Sequence, residues 1–278
     1  MYPIVKKERF APEVVLLEVE APHIARKAKA GQFMILRVDE QGERVPLTLA
    51  DWDAERGTIT LIFQEVGAST TKLGMRNEGE ALSDCVGPLG SPSEIERYGT
   101  VVCVGGGIGI APIYPIARAQ QAAGNRVISI MGARTKTLLF WEDKLRAVSN
   151  EVLVTTDDGS YRRKGFVTDV LKDLIVKGEP IDVVYAIGPV IMMRAVSHLT
   201  LDYGIRTIVS LNPIMMDGTG MCGACRVTVD GQTKFACVDG PEFDGHKVDF
   251  VGLMKRQQIY LSQEKEAMER LKCVKRET

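Results

Sequence analysis

The stretch Thr100-Val-Val-Cys-Val-Gly-Gly-Gly-Ile-Gly-Ile-Ala-Pro112 decides how the chain folds. Residues 100–104 are an unbroken apolar run, the pattern of a parallel strand buried on both faces. The run enters a glycine loop, and a helix follows to Ala123. A glycine motif alone is weak evidence. Between a buried strand and a helix it is stronger, because glycines let a dinucleotide pyrophosphate approach the helix N-terminus. Pro112 suits the first helical turn. The form G-G-G-x-G-x-A-P departs from the G-x-G-x-x-G fingerprint.

Downstream, strands at Arg126–Met131, Val152–Thr155 and Val183–Ile187 alternate with helical segments. This predicts an α/β parallel-sheet domain over residues 97–210. Three loops follow these strands: Gly132-Ala-Arg134, Thr156-Asp-Asp-Gly-Ser160 and Gly188-Pro-Val-Ile-Met-Met193. They lie at strand C-terminal ends, where open α/β sheets bind ligands. Asp157 and Asp158 suit ribose hydroxyls and would repel a 2′-phosphate, which favours NAD(H) over NADP(H). Arg134 argues the other way, and each acid is equally an ordinary turn residue or helix cap.

Upstream, residues 1–96 hold short strands, at Val14–Glu20, Gln32–Val38 and Thr58–Phe63, punctuated by Pro22, Gly31, Gly42 and Gly57. Short strands with regular turn signals predict a small antiparallel β-barrel.

Beyond residue 210 the chain reads Asp217-Gly-Thr-Gly-Met-Cys-Gly-Ala-Cys225, with Cys237 further on. Thiolates are soft ligands for iron–sulfur clusters and zinc. Residues 226–237 read as a hairpin about an Asp230-Gly231 turn, which returns Cys237 to the other two. Plant-type ferredoxin spacing is C-x4-C-x2-C…C. Here Asp217, Cys222 and Cys225 fit D-x4-C-x2-C. The spacing reads as a [2Fe-2S] cluster with Asp217 as an oxygen ligand. The alternatives are a structural zinc site, or unpaired thiols with Asp217 as a plain turn residue. A zinc ribbon would more often show a second C-x2-C or a His pair, and His23, His198 and His246 are not spaced for one.

The formal net charge is −1 and no basic block occurs, so nucleic-acid binding has no electrostatic support. No apolar run approaches a membrane span of ~18 residues. The first residues carry no signal-peptide pattern, so a cytoplasmic location is expected. Six cysteines in such a setting argue against a disulfide framework. Cys103, in an apolar strand, reads as a buried inert thiol.

Four local signatures of the first domain resemble those of ferredoxin-reductase-like flavoproteins. They are Ala30-Gly-Gln-Phe-Met34, Arg44-Val-Pro-Leu-Thr48, Val66-Gly-Ala-Ser-Thr-Thr71 and Gly87-Pro-Leu-Gly90. Val45 replaces an Arg often seen there, and Ser69 a Gly. The glycine loop and Gly188–Met193 are similar to the nicotinamide domain of the same family, with Ile187 in place of a Cys. The resemblance implies an FAD site at Arg44, Pro46, Leu47, Thr48, Ile62, Phe63, Gln64, Gly67, Ser69, Thr70 and Thr71. It implies an NAD(H) site at Gly105, Gly106, Gly107, Gly109, Ala111, Pro112, Arg134, Asp157, Asp158, Gly188, Pro189 and Met192. No general base is expected, because the cofactors carry the chemistry.

The order of FAD barrel, nicotinamide domain and [2Fe-2S] module at 211–249 resembles the electron-transfer subunits of dihydroorotate dehydrogenase. It resembles more closely the small subunits of NADH-dependent ferredoxin:NADP+ oxidoreductase. Asp217, Leu47-Thr48 and the C-terminal extension at 250–278 favour the second group. The resemblance implies an electron relay from NAD(H) through flavin and cluster, to or from a large flavin and iron–sulfur subunit. The rival classes are the dihydroorotate relay, told apart by its FMN partner, and a module that binds nucleotide or senses redox state without turnover. In the extension, Ser262 is expected to cap a helix whose apolar stripe is Leu261, Met268 and Leu271. That stripe packs either on its own domain or on a partner.

Overall fold

A computed structural model describes residues 1–277. The first domain contains β1 (Tyr2–Ala11), β2 (Val14–Glu20), α1 (Pro22–Ala25), β3 (Phe33–Arg37), β4 (Arg44–Thr48), β5 (Asp51–Asp53), β6 (Thr58–Gln64), α2 (Ala68–Met75), β7 (Ala81–Leu82) and β8 (Asp84–Leu89). Two antiparallel sheets, ordered β5-β6-β2-β1-β7 and β4-β3-β8, enclose one core. Val15, Leu17, Ile59, Leu61 and Phe63 fill it from the first sheet, and Met34 and Leu36 from the second. Strand β1 is absent from the sequence reading, because Lys6, Lys7, Glu8 and Arg9 mask its alternation.

Several barrel strands are apolar on both faces, and the structure shows why. Ala11, Val14, Leu16 and Ile62 face outward into a second core shared with Tyr114 and Phe140 of the next domain. Phe33 and Ile35 face outward into a third, shared with Cys225, Val227 and Cys237. The barrel thus packs through one sheet on the α/β domain and through the other into a core that the α/β domain and the cysteine module share.

The second domain holds β9 (Thr100–Gly106), α3 (Ile110–Ala122), β10 (Arg126–Ala133), α4 (Glu142–Ala147), β11 (Glu151–Thr156), β12 (Arg163–Lys164), α5 (Val167–Val176), β13 (Val183–Ile187), α6 (Val190–Leu201) and β14 (Arg206–Ser210). After these come β15 (Arg226–Val229), β16 (Gln232–Phe235), β17 (Glu242–Asp244), α7 (Phe250–Gln257) and α8 (Leu261–Glu277). The sheet order is β12-β11-β10-β9-β13-β14-β17, parallel except for β17. The winding reverses at β9, so a crevice opens at its C-terminal end between the glycine loop and the loop after β13.

Val229 pairs with Gln232, which leaves Asp230-Gly231 as a two-residue turn at φ 53° and 70°. Both central residues are left-handed, as a type I′ hairpin requires. Helix α8 begins at Leu261, so Ser262 lies inside its first turn; the Ser262 hydroxyl donates to Gln263 Oε1 rather than capping. Its half-buried Met268 reaches α2, where Thr71 Oγ1 donates to Met268 Sδ at 4.0 Å. Of the expected stripe, Met268 thus packs on its own chain, while Leu261 is exposed. Among the described residues, no helix is long and apolar enough to cross a membrane.

Candidate functional site

A cavity of about 650 Å³ occupies the crevice. Gly106, Gly107, Gly188, Pro189 and Met192 form one wall, and Gly132, Arg134 and Asp157 another. Val14 and Gln64 of the barrel close it, so the cavity spans both domains. Gly107 has φ +57° and open space where a side chain would go, which keeps the wall low. The other predicted residues of the glycine loop do not line the cavity. Gly105 and Gly109 are packing glycines: a methyl on Gly109 would overlap the Ile187 carbonyl oxygen. Ala111 and Pro112 are buried in the first turn of α3.

The two acids part ways. Asp157 lines the cavity, and burial, then the Asp158 charge, pushes its carboxyl up. Asp158 Oδ1 accepts from the Ser160 amide at 2.9 Å, and the Ser160 hydrogen bonds hold its carboxyl down. Asp158 is a turn residue. The sequence reading missed Phe166 and Asn212, which also line the cavity. Phe166 is 61% exposed, which is unusual for a large apolar ring. Gln257 Nε2 donates to Asn212 O at 2.8 Å and to its Oδ1 at 3.2 Å. No motif marks either residue.

On the barrel, β4 carries Arg44, Pro46, Leu47 and Thr48; Arg44 is exposed and the rest are half-buried. Ser69 Oγ donates to Glu43 Oε2 at 2.6 Å, which ties the first turn of α2 to the start of β4. Thr70 Oγ1 accepts from the Val66 and Gly67 amides, each at 3.1 Å. Gly67 has nothing within 4 Å of its Cβ position. The Ser69–Glu43 bond joins the helix start to the segment that carries the exposed Arg44, and an Arg with a helix N-terminus suits a pyrophosphate. Ile62 and Phe63 are both buried and face opposite ways, Phe63 into the barrel core.

In the cysteine module, Gly218, Gly220 and Gly223 have φ of 75°, 82° and 67°. Cβ atoms on the first two would meet Ile35 and Leu89 of the barrel, or Val238. Asp217 Oδ1 accepts from the Thr219 amide and Oδ2 from the Cys222 amide, both at 2.9 Å. Those bonds, led by Thr219, hold its carboxyl below the usual range. Cys225 and Cys237 are buried with sulfurs 3.1 Å apart, too far for the ~2.05 Å of a disulfide. Burial, then the Cys225 sulfur, pushes the Cys237 thiol up. Cys222 is exposed on the loop, and among the described residues no three such side chains converge on one point. The donor set still fits an iron–sulfur centre. It holds three thiols and a carboxylate on one tight loop and hairpin, with Arg256 donating to Ala224 O between two of the cysteines at 3.1 Å. Arg256 Nε is buried without a partner. Cys85 and Cys103 are buried elsewhere, and burial pushes both thiols up.

Comparison with known proteins agrees with these two halves. Residues 212–249 match the iron-sulfur cluster binding domain of dihydroorotate dehydrogenase B, and residues 103–198 the oxidoreductase NAD-binding domain. The chain is 49% identical over 267 residues to a "Dihydroorotate dehydrogenase B (NAD(+)), electron transfer subunit homolog" of Thermotoga maritima, covering 96% of this chain and 94% of that one. It is 36% identical to the electron transfer subunit of Shouchella clausii, over 86% of this chain and 94% of that one. A chain from a structure of NADH-dependent reduced ferredoxin-NADP oxidoreductase, solved in work on flavin-based electron bifurcation, superposes with a TM-score of 0.93. It is 48% identical, with 97% of each chain covered. The chain belongs to the family of dihydroorotate dehydrogenase B electron transfer subunits and their homologues.

Proposed function

We propose that the chain is the electron-transfer subunit of an NAD(H)-linked flavin and iron–sulfur oxidoreductase of the ferredoxin:NADP+ oxidoreductase type. It acts in the cytoplasm and exchanges electrons with a large flavin and iron–sulfur subunit. One observation carries the reading: the barrel helps close the nucleotide cavity and also shares a core with the cysteine module. FAD would supply two-electron exchange with NAD(H) and one-electron exchange with a [2Fe-2S] cluster.

The protein's part is to bind and orient. Gly107 leaves room for the nucleotide, Asp157 meets the ribose, and Gly188–Met192 border the nicotinamide end. Arg44, Gly67 and the first turn of α2 would hold the flavin pyrophosphate, and the half-buried Thr48 of β4 would contribute to the flavin site. Cys222, Cys225, Cys237 and Asp217 hold the cluster. The similarity to the ferredoxin-NADP oxidoreductase chain supports this reading over dihydroorotate oxidation.

The test is the flavin and iron content of the complex purified anaerobically from its host. The reading expects two FAD and iron well beyond a single [2Fe-2S] cluster per pair of subunits. FMN with FAD, and iron for the [2Fe-2S] cluster alone, would move the assignment to dihydroorotate oxidation.

A further inference from the structure

One carboxylate of the barrel grips two helices of the nicotinamide domain. Asp51 Oδ1 accepts from Arg118 Nη1 of α3 at 2.7 Å, and Oδ2 accepts from Lys144 Nζ of α4 at 2.9 Å. Both cations also lie against aromatic faces. Arg118 is 5.0 Å from the Trp52 ring and 5.3 Å from Tyr114; Lys144 is 5.0 Å from Tyr114 and 4.2 Å from Trp141. The result is a ladder, Trp52–Arg118–Tyr114–Lys144–Trp141, with Asp51 bridging its two cations. One end stands on the barrel and the other on the α/β domain.

An exposed ion pair adds little on its own. This one differs in two respects. The Asp51 side chain is only 17% exposed, and the aromatic faces attract the same two cations. Both gripped helices also begin at the cavity. Helix α3 follows the glycine loop that walls it, and α4 follows Leu138 and Phe140, which line it. Phe140 stacks on Phe10 of the barrel at 5.3 Å and 3°. Trp141 has φ 59°, a conformation rare for a residue with a bulky side chain.

We propose that Asp51 is a positioning residue for hydride transfer: through Arg118 and Lys144 it sets how closely the nicotinamide side of the cavity approaches the flavin barrel. The inference rests on the function proposed above. Asp51 is not among the residues that line the cavity, so its effect runs through the domain contact. Hydride transfer depends steeply on the distance and alignment of the reacting atoms.

The test is anaerobic stopped-flow reduction of the bound flavin of the purified holo-protein by NADH. In Asp51→Asn the limiting rate is expected to fall about tenfold or more while the NADH Kd changes by less than about threefold. The long-wavelength absorbance of the stacked nicotinamide and flavin weakens with it, and Asp51→Glu restores both. The chain has two tryptophans, one at each end of the ladder, so iodide quenching of their fluorescence should rise in Asp51→Asn. If Asp51→Asn does not keep its flavin, Lys144→Met, which releases one helix only, is expected to show the same rate loss in smaller measure. An unchanged limiting rate and unchanged absorbance in the flavin-loaded variant would overturn the proposal. A wild-type protein that NADH does not reduce would instead refute the function on which it rests.

Discussion

Asp217 Oδ2 accepts a hydrogen bond from the Cys222 amide at 2.9 Å, so the carboxylate that stands where a fourth cysteine is usual also folds the loop carrying the next one. Its other oxygen holds the Thr219 amide. Each oxygen keeps a lone pair beyond the amide it binds. The turn role and the ligand role are therefore compatible, and substitutions separate them.

Asp217→Ala removes both roles and is expected to weaken cluster retention about tenfold or more, read as iron per chain after gel filtration. Asp217→Cys keeps a four-ligand set and exchanges oxygen for sulfur. It should shift the EPR spectrum and midpoint potential of the cluster. If neither moves, Asp217 folds the loop but does not bind iron.

Two glycines of one loop should respond differently. Gly109→Ala drives a methyl into the Ile187 carbonyl, a backbone atom that cannot swing aside. A loss of about 3 kcal/mol in folding stability is expected by urea unfolding. Gly107→Ala meets no atom but must hold φ +57°, which costs about 1 kcal/mol. Its larger effect should be on NADH affinity, since the methyl points into the cavity. Equal stability losses in the two variants would contradict this division.

The Glu242 carboxyl sits where β17, the interdomain linker and the barrel meet, and accepts from Ser93 Oγ at 2.6 Å. Withdrawal from water pushes it up to about 7. Its folded value thus lies above its unfolded one, so the folded state binds the proton more tightly. Its contribution is fully present below about pH 4.5, falls as pH rises, and is lost above about pH 7. Glu242→Gln should remove that loss. The variant is expected to match wild type near pH 4.5 and exceed it at pH 8 by roughly 3 kcal/mol. Parallel pH profiles for the two proteins would place the Glu242 proton elsewhere.

Asp157 faces the cavity beside Arg134. Asp157→Asn removes the charge that repels a 2′-phosphate and leaves Arg134 to attract one. The kcat/KM ratio of NADH to NADPH should fall about tenfold. Asp158→Asn, in the turn, should leave the ratio unchanged. A reversed pattern would exchange the roles of the two acids.

Much of this was legible in the sequence because the informative residues are neighbours in the chain. Thr100–Pro112 declares a buried strand, a glycine loop and a helix within thirteen residues, and that is the observed order. Asp230-Gly231 declares its hairpin in two. What escaped was long-range or unmarked. Asp51 meets Arg118 and Lys144 across 67 and 93 residues, and no local pattern announces the meeting. Strand β17 is three residues long and joins the parallel sheet at an edge made by β14, also unread. Phe166 sits next to Gly165 in a segment that reads as an ordinary helix start. Within the glycine loop, the sequence could not tell Gly107, which faces the ligand space, from Gly109, which faces Ile187. That distinction depends on where β13 passes.

The most direct measurement follows the electrons. NADH is added anaerobically to the purified holo-protein, with flavin absorbance and low-temperature EPR recorded on the same sample. The account predicts bleaching of the flavin band and the appearance of a reduced [2Fe-2S] signal. Nucleotide that binds without bleaching the flavin, or a bleached flavin beside a cluster that stays oxidised under every potential tested, would contradict it.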